Sequence, residues 1–507
     1  MKRMIVLAAA ICTAAFTAKA GGYVTNTNQN VAFLRNPAQN AVIGVQGAYF
    51  NPAGIGFMDN GWHLAFDVQS ALQRRYTTST YEPLKYGVDN EGRGYKKYTG
   101  KSFVPALPHL SLAFKHDNLF ASFHFGVVSG GGKAKYDQGL GSFEAPVAMI
   151  PALINNLAGT QMVTGYDADI NLTGEQYNFA GQLNIGYKIG SKWSVSAGVR
   201  LNYISNYYVG SLRNIQLQYG GQMLPAANVL GAAVSAISGG LIPTETAVGM
   251  VGGLVSDKEL DAHQKDIAWT PILSVDYKTG RFNFSARYEF NTKVRLNNDT
   301  KANTTGISQF DDGKEIAADI PGNINIGAEY SVKPNFRVAL GANYYFDKQS
   351  KQYNNETDLN DKQNYLKHNS FEILGGLEYD LSDVVTLSIG ANSSTFGFGN
   401  DAKYISDLSY TTSSISGGLG ARFNVNPKVA IDLGIYKTFF MHFTKEPADY
   451  GGNGALIAAK LSPVLGQLAP AVPGLAEKLD IKNLQIPGQD DFYRTSIVGG
   501  IGVTFKF

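Results

Sequence analysis

Gly502-Val503-Thr504-Phe505-Lys506-Phe507 closes the chain as a strictly alternating strand that ends on an aromatic. Counting back from Phe507, the odd positions are Phe505, Val503, Ile501, Gly499, Ile497 and Tyr493. The even positions are Lys506, Thr504, Gly502, Gly500, Ser496 and Arg494, with Val498 as the exception. A period of two sends alternate side chains to opposite faces of a strand, so one face is apolar and the other polar. In a soluble sheet the polar face meets water and the apolar face a core. In an outer-membrane barrel the apolar face meets lipid and the polar face lines the lumen. One strand does not separate these readings; recurrence of the pattern along the chain does.

Similar segments run Trp193–Tyr203, Phe282–Phe290, Phe336–Tyr344 and Val429–Ile435. Strand starts fall near residues 62, 106, 119, 175, 193, 265, 282, 320, 336, 368, 385, 409, 429 and 493, about fourteen in all, the even count that a single-chain barrel requires. Short turns rich in Gly, Pro, Asn and Asp are predicted at 115–118, 189–192, 278–281, 332–335, 381–383 and 426–428. Long loops are predicted near 77–105, 130–174, 213–264, 298–319, 348–367, 399–408 and 444–492. Alternating short and long connections are the outer-membrane topology, with short turns periplasmic and long loops extracellular. Aromatics near strand ends, among them Tyr187, Trp193, Trp269, Tyr277 and Tyr379, suit girdles at the two interfaces. The expected fold class is all-β, a transmembrane antiparallel barrel over residues 61–507.

Met1-Lys2-Arg3, the apolar run Ile5–Phe16 and Ala18-Lys19-Ala20 read as a signal peptide over residues 1–20, with the mature chain starting at Gly21. The only cysteine, Cys12, lies inside that peptide, and Ile11 before it does not fit a lipid-anchor signal, so no disulfide or thiol chemistry is expected. Without Lys2, Arg3 and Lys19 the formal charge of +2 becomes −1, which gives no electrostatic case for nucleic acid. Charged residues make up only 17% of the chain, and no mature segment reads as a spanning helix. A chain of this kind that spans a membrane has to do so as a closed barrel.

Residues 21–60 show no sustained alternation and carry Asn36-Pro37-Ala38 and Asn51-Pro52-Ala53. About forty residues are too few for an independent domain and enough for a small hatch that plugs a lumen. Pro52 fixes its backbone and suits a rigid turn, where Asn51 can bond to nearby backbone. A signal peptide, a short segment ending in Asn51-Pro52-Ala53 before the first strand, and about fourteen strands resemble the FadL/TodX family of outer-membrane fatty-acid and hydrocarbon transporters. The resemblance implies uptake of hydrophobic compounds by passive diffusion past an N-terminal hatch. It also implies capture in a loop groove and exit through a gap in the wall near a kinked third strand. Gly126, in that strand, is the candidate for the kink, because glycine often marks a bend.

Three of the long loops are unusually apolar. In 145–157, Met149, Ile150, Leu153, Ile154 and Leu157 form a helical stripe, with Pro151 suited to a first turn. Residues 226–255 and 455–479 carry similar stripes. Such surface marks either a lipophile-binding mouth or helices packed on one another. The first of these loops lies where the family carries its capture groove. Inward positions include Arg200, Asp276, Arg287, Glu289, Arg337, Glu372, Glu378, Arg422 and Asp432. Arg200, Arg287 and Arg337 are candidate partners for a fatty-acid carboxylate, or else bridges to the lumenal acids. The basic loop Lys85, Arg93, Lys96, Lys97 and Lys101 could meet lipopolysaccharide phosphates or water. No Gly-x-Ser-x-Gly, His-Glu-x-x-His or cysteine nucleophile is present in the mature chain, so no enzyme, metal or cofactor is expected. The partners expected are hydrophobic small molecules and membrane lipid, bound by a monomer in a bacterial outer membrane. A general porin, an adhesin and a haem-binding barrel stand as alternatives.

Overall fold

The computed structural model describes residues 25–305, 307–352, 362–398, 405, 407, 410–450 and 485–507. The signal peptide and the apolar stretch 455–479 lie outside them. Fourteen antiparallel strands close into a barrel. They are β1 Gly61–Thr80, β2 Tyr95–His116, β3 Leu119–Tyr136, β4 Val163–Ile189, β5 Trp193–Tyr219 and β6 Lys258–Thr279. β7 is Phe282–Glu289 with an outer piece Arg295–Asn303, and β8 is Asn323–Lys333 preceded by Glu315–Ala317. The rest are β9 Phe336–Tyr345, β10 Ser370–Asp380, β11 Val385–Thr395, β12 Ser414–Asn426, β13 Val429–Phe440 with Phe443–Lys445, and β14 Gln489–Lys506. Closure comes from β14, which pairs with β13 on one side and with β1 on the other, from His63↔Lys506 to Thr80↔Gln489.

Closure removes the sheet edge, and the alternation then sorts side chains by solvent. Outward residues such as Ile185, Ile389, Leu419 and Ile501 are half or more exposed, as a lipid-facing band requires. Inward ones such as Asp67, Asn184, Asp276, Glu372 and Asp432 are buried. Trp62 stacks near Phe114 (4.6 Å between rings) and Trp193 near Tyr277 (4.4 Å) at the short-turn end. These pairs form one aromatic girdle.

The short turns lie where the sequence predicts them, between His116 and Leu119, Ile189 and Trp193, Thr279 and Phe282, Lys333 and Phe336, Asp380 and Val385, and Asn426 and Val429. The opposite end differs. Strands β2, β4 and β6 start at Tyr95, Val163 and Lys258, well before the expected 106, 175 and 265. Above the lipid the outward face meets water while the inward face packs on loops and helices, with Tyr98, Leu172 and Leu260 buried there, so the lipid-type alternation fades while the ladder continues. Polar cross-strand pairs hold it there, for example Asn171–Ser211 (2.8 Å) and Thr164–Gln218 (2.9 Å). The long connections carry helices α2 Gly141–Ala158, α3 Ala226–Ile237 and α4 Thr244–Val251. Pro151 sits in the middle of α2, together with Pro146, rather than in a first turn. That placement corrects the expectation: the helix begins at Gly141, before the apolar stripe starts.

Candidate functional site

The segment before β1 lies in the lumen. Its one α-helix, α1 Val31–Arg35, is too short to stand alone. Asn30 caps it by accepting from the Phe33 N–H (2.9 Å), and Phe33 packs on Phe50 and Tyr436 with both rings 5.5 Å away. The barrel wall supplies its other partners. Asp67 accepts from the Val31 N–H (3.0 Å), Glu372 from the Asn26 N–H (2.7 Å), and the Asn184 and Asn283 amides donate to the Ala48 and Ala41 carbonyls (2.9 and 2.7 Å). Arg35, 3% exposed, donates to Glu378 (2.7 Å) and Asp432 (2.9 Å) and also bonds Ser388. Asn36 fills the space that a side chain at Gly376 would need, so the wall is recessed to admit the segment.

Asn51-Pro52-Ala53 opens a 3₁₀ turn, Pro52–Phe57, whose first position Pro52 occupies without losing a hydrogen bond. The Asn51 side chain accepts from the Gly54 N–H (3.2 Å) and donates to Asp276 (2.6 Å), and the buried Ala53 N–H reaches Ser274 (3.3 Å). The motif thus pins the end of the segment to β6.

Arg200, Arg287 and Arg337 all hold carboxylates. Arg200 meets Glu289 at 2.7 and 2.8 Å and lies over the Tyr49 ring at 4.6 Å. Arg287 shares Glu289 (3.1 Å) and bonds the Tyr49 carbonyl. Arg337 forms a fork on Asp380 (2.7 and 2.8 Å). Of the two readings available for these residues, they occupy the structural bridges. In the basic loop, Lys85, Arg93 and Lys96 pair with Glu82, Glu91 and Glu144.

Above the N-terminal segment is a cavity of about 440 Å³. Thr25–Gln29 form part of its floor, Val128, Val498 and Tyr436 its apolar wall, and Phe396, Phe398 and Ile405 lie along it from the loop side. The cavity reaches Ser102, Val104 and Leu107 of β2 and Val127–Gly130 and Gly132 of β3. There the wall is broken. β2 and β3 pair from Leu110↔Phe125 to His116↔Leu119 and again at Lys101↔Lys135, but among the described residues no ladder pair joins 102–109 to 126–134. The register of β3 with β4 slips twice, between Val127 and Ser129 and between Ser129 and Gly132. Gly126 keeps its pairing with Ala180 of β4 but has no ladder partner in β2 among the described residues, so it stands at the start of the interrupted stretch. Gly130 has φ +123°, and a side chain there would collide with the Gln176 carbonyl. Two signals in the chain point to this break: Pro105 and Pro108, which lack the N–H that a central strand needs, and the run Gly130-Gly131-Gly132.

The apolar stripe of α2 faces inward. Met149 and Ile154 are buried with Leu84, Val163, Leu217 and Val229, while Ile150 and Leu153 are half-buried against the same cluster. The Leu157 side chain lies outside the described part. Glu144 anchors the helix by accepting from Lys96 (2.9 Å), Tyr98 (2.8 Å) and Tyr166 (2.8 Å).

Residues 224–460 match the outer membrane protein beta-barrel domain. The chain superposes on a Pseudomonas aeruginosa FadL homologue with a TM-score of 0.60, at 13% identity over 96% of this chain and 100% of that one. It superposes on the Pseudomonas putida toluene transporter TodX with a TM-score of 0.54, at 13% identity over 96% and 100%. For the Ralstonia pickettii toluene transporter TbuX the TM-score is 0.50, at 12% identity over 97% and 100%. No curated protein matches the sequence. The chain therefore has the fold of these solved structures, and with its own fourteen strands and apolar belt it is an outer-membrane β-barrel.

Proposed function

We propose that this protein is a channel for hydrophobic small molecules, which enter from the outer face, occupy the cavity above residues 25–60 and leave through the wall between β2 and β3. One observation supports the reading: the interruption of the β2–β3 ladder borders the cavity, while the lumen below it is filled by the N-terminal segment. A general porin would keep a polar path open along its axis. Residues 25–60 act as the hatch, with Asn51-Pro52-Ala53 as its fixed end. The half-buried edge of Ile150 and Leu153 belongs to the outer apolar surface that such molecules meet first, and Met149 and Ile154 become available only if the cluster opens. Fatty acids and monoaromatic hydrocarbons are the candidate substrates, since the fold is shared with a FadL homologue and with toluene transporters.

A tether across the break tests the route. A side chain at Gly132 would lie 3.0 Å from a Val104 methyl, close enough for Val104→Cys with Gly132→Cys to form a disulfide. Uptake of labelled palmitate and of toluene is measured in cells lacking their own transporters. Oxidation should reduce uptake severalfold, and a reductant should restore it. Uptake unchanged by a verified cross-link would rule out the lateral route.

A further inference from the structure

The outer face of the barrel carries a row of cations where the apolar belt ends. On β1 the outward residues run from Trp62 through Phe66 to Leu72, and the next one toward the long connections is Arg74. On β2 the exposed Phe103 stands opposite Leu72, and Lys101 stands opposite Arg74. Lys101 in turn pairs with Lys135 of β3. Arg74, Lys101 and Lys135 are all exposed and lie side by side across three strands. On the other flank Arg74 opposes Thr495 of β14, whose hydroxyl accepts from the Lys437 ammonium of β13 at 2.7 Å. Like charges directly opposite each other destabilise a sheet, so a sheet built for stability alone avoids them. Among the described residues none of the three cations forms an ion pair. Of the outward acids on neighbouring strands, Glu175 is held by Lys133 (3.6 Å) and Asp491 by His442 (3.0 Å).

Adjacent strands lie about 4.8 Å apart, so the row spans roughly 10 Å from Arg74 to Lys135. That width admits two phosphates, whereas a phospholipid headgroup brings one. Arginine and lysine hold phosphate oxygens through charge-assisted hydrogen bonds. The level fits as well. The row stands at the long-loop end of the lipid-facing band, where the headgroups of the outer leaflet lie, and basic clusters beside a membrane span attract anionic lipid. Leu72 and Phe103, exposed directly below, offer a surface for acyl chains. We propose that Arg74, Lys101 and Lys135, flanked by Lys437, dock the phosphorylated sugar headgroup of lipopolysaccharide, with its acyl chains on the apolar face beneath. Among the described residues Lys101↔Lys135 is also the one ladder pair that joins β2 to β3 above their interruption. The bound glycolipid therefore bridges the two strands at the upper edge of that interruption, where they hold each other least. The site lies on the lipid side of the wall and is independent of passage through the barrel.

The test uses the full barrel, refolded in detergent free of lipopolysaccharide, and titrates it by native mass spectrometry with three lipids: lipid A carrying both phosphates, dephosphorylated lipid A, and phosphatidylglycerol. The wild-type protein should bind bisphosphorylated lipid A about tenfold or more tightly than the dephosphorylated form, the scale of a hydrogen bond between charged groups. Arg74→Gln with Lys101→Gln and Lys135→Gln should remove that preference. Lys192→Gln with Lys333→Gln and Lys428→Gln makes the same change of charge at the short-turn end and should keep it. Heat-modifiable migration verifies the closed barrel in each variant. Equal affinity of the wild type for the two forms of lipid A overturns the site without any variant. A preference that survives in the row variant, or that falls equally in the short-turn variant, overturns its location. Phosphatidylglycerol bound as tightly as bisphosphorylated lipid A overturns the two-phosphate partner.

Discussion

The lower and upper halves of this lumen solve the same problem in opposite ways. In the lower half the buried arginines each have a carboxylate. Arg35 holds Glu378 and Asp432, Arg200 and Arg287 share Glu289, and Arg337 forks on Asp380. In the upper half Arg75 and Arg494 face each other with none. The lower half is closed by its own chain, whose backbone and side chains meet the needs of the wall. The upper half leaves its needs unmet and has a cavity. A matched polar network rigidifies, while an unmatched one can still accept a ligand. The difference separates a filled half of the lumen from a half that holds a cavity.

Removing the lower match should give the largest effect. Arg35→Met keeps the bulk of the side chain but takes from Glu378 and Asp432 their shared buried cation, leaving them only the partly exposed Arg337 (3.5 Å) and Arg422 (3.2 Å), at a cost of up to about 3 kcal/mol. The N-terminal segment should loosen, and ion conductance in planar bilayers should rise well above that of the wild type. Adding Glu378→Gln and Asp432→Asn should return the trace toward wild type, because no buried carboxylate is then left short of a cation, and Arg337 and Arg422, which lose these partners, are partly exposed to water. A low conductance in all three proteins would mean that packing of Phe33, Phe50 and Tyr436 alone holds the segment.

A smaller effect is expected at the edge of the lower half. Arg337 and Asp380 are each about a quarter exposed, so water screens their pair. Arg337→Gln should cost no more than about 1 kcal/mol in urea unfolding of the lipid-embedded barrel, and should leave conductance unchanged. A rise like that of Arg35→Met would extend the plug network to the periplasmic rim.

How much of this was legible differs along the barrel axis. Strands within lipid were readable because hydrocarbon on one face and a polar lumen on the other impose a period of two, as in Phe282–Phe290. The extensions of β2, β4 and β6 beyond the membrane were not, because water replaces lipid on the outward face and loops and helices cover the inward one, so the lipid-type period is lost. Val498 broke the alternation of the last strand, and it is an apolar wall of the cavity. Among the described residues Gly126 is the first of β3 without a β2 partner, and Pro105, Pro108 and the triple glycine of β3 carried the further signal. Arg75 and Arg494 could not be paired by inspection. Nearly the whole chain separates them, and only the closing register of β14 on β1 sets them opposite each other.

The smallest effect is expected at the outer rim, where Asp347 shares the upper half's lack of counter-charge. It lies in the connection after β9, 3% exposed, and accepts from the Ser370 N–H at 2.9 Å. Burial pushes its carboxyl up from 3.8 to about 6, and the hydrogen bonds from Ser370 only partly offset this. An acid that holds its proton more tightly when folded favours the folded loop as pH falls. The gain is complete below the unfolded value of 3.8 and is lost as pH rises through about 6. Between pH 7 and pH 5 the loop should therefore gain about 1 kcal/mol. Amide exchange at Ser370 and its neighbours, corrected for intrinsic rates, should slow by several-fold over that interval, and Asp347→Asn should remove the pH dependence while leaving the protection in place. Exchange that quickens as the pH is lowered would mean that the carboxylate is stabilised where it lies, and that the want of counter-charge is confined to the two arginines of the cavity.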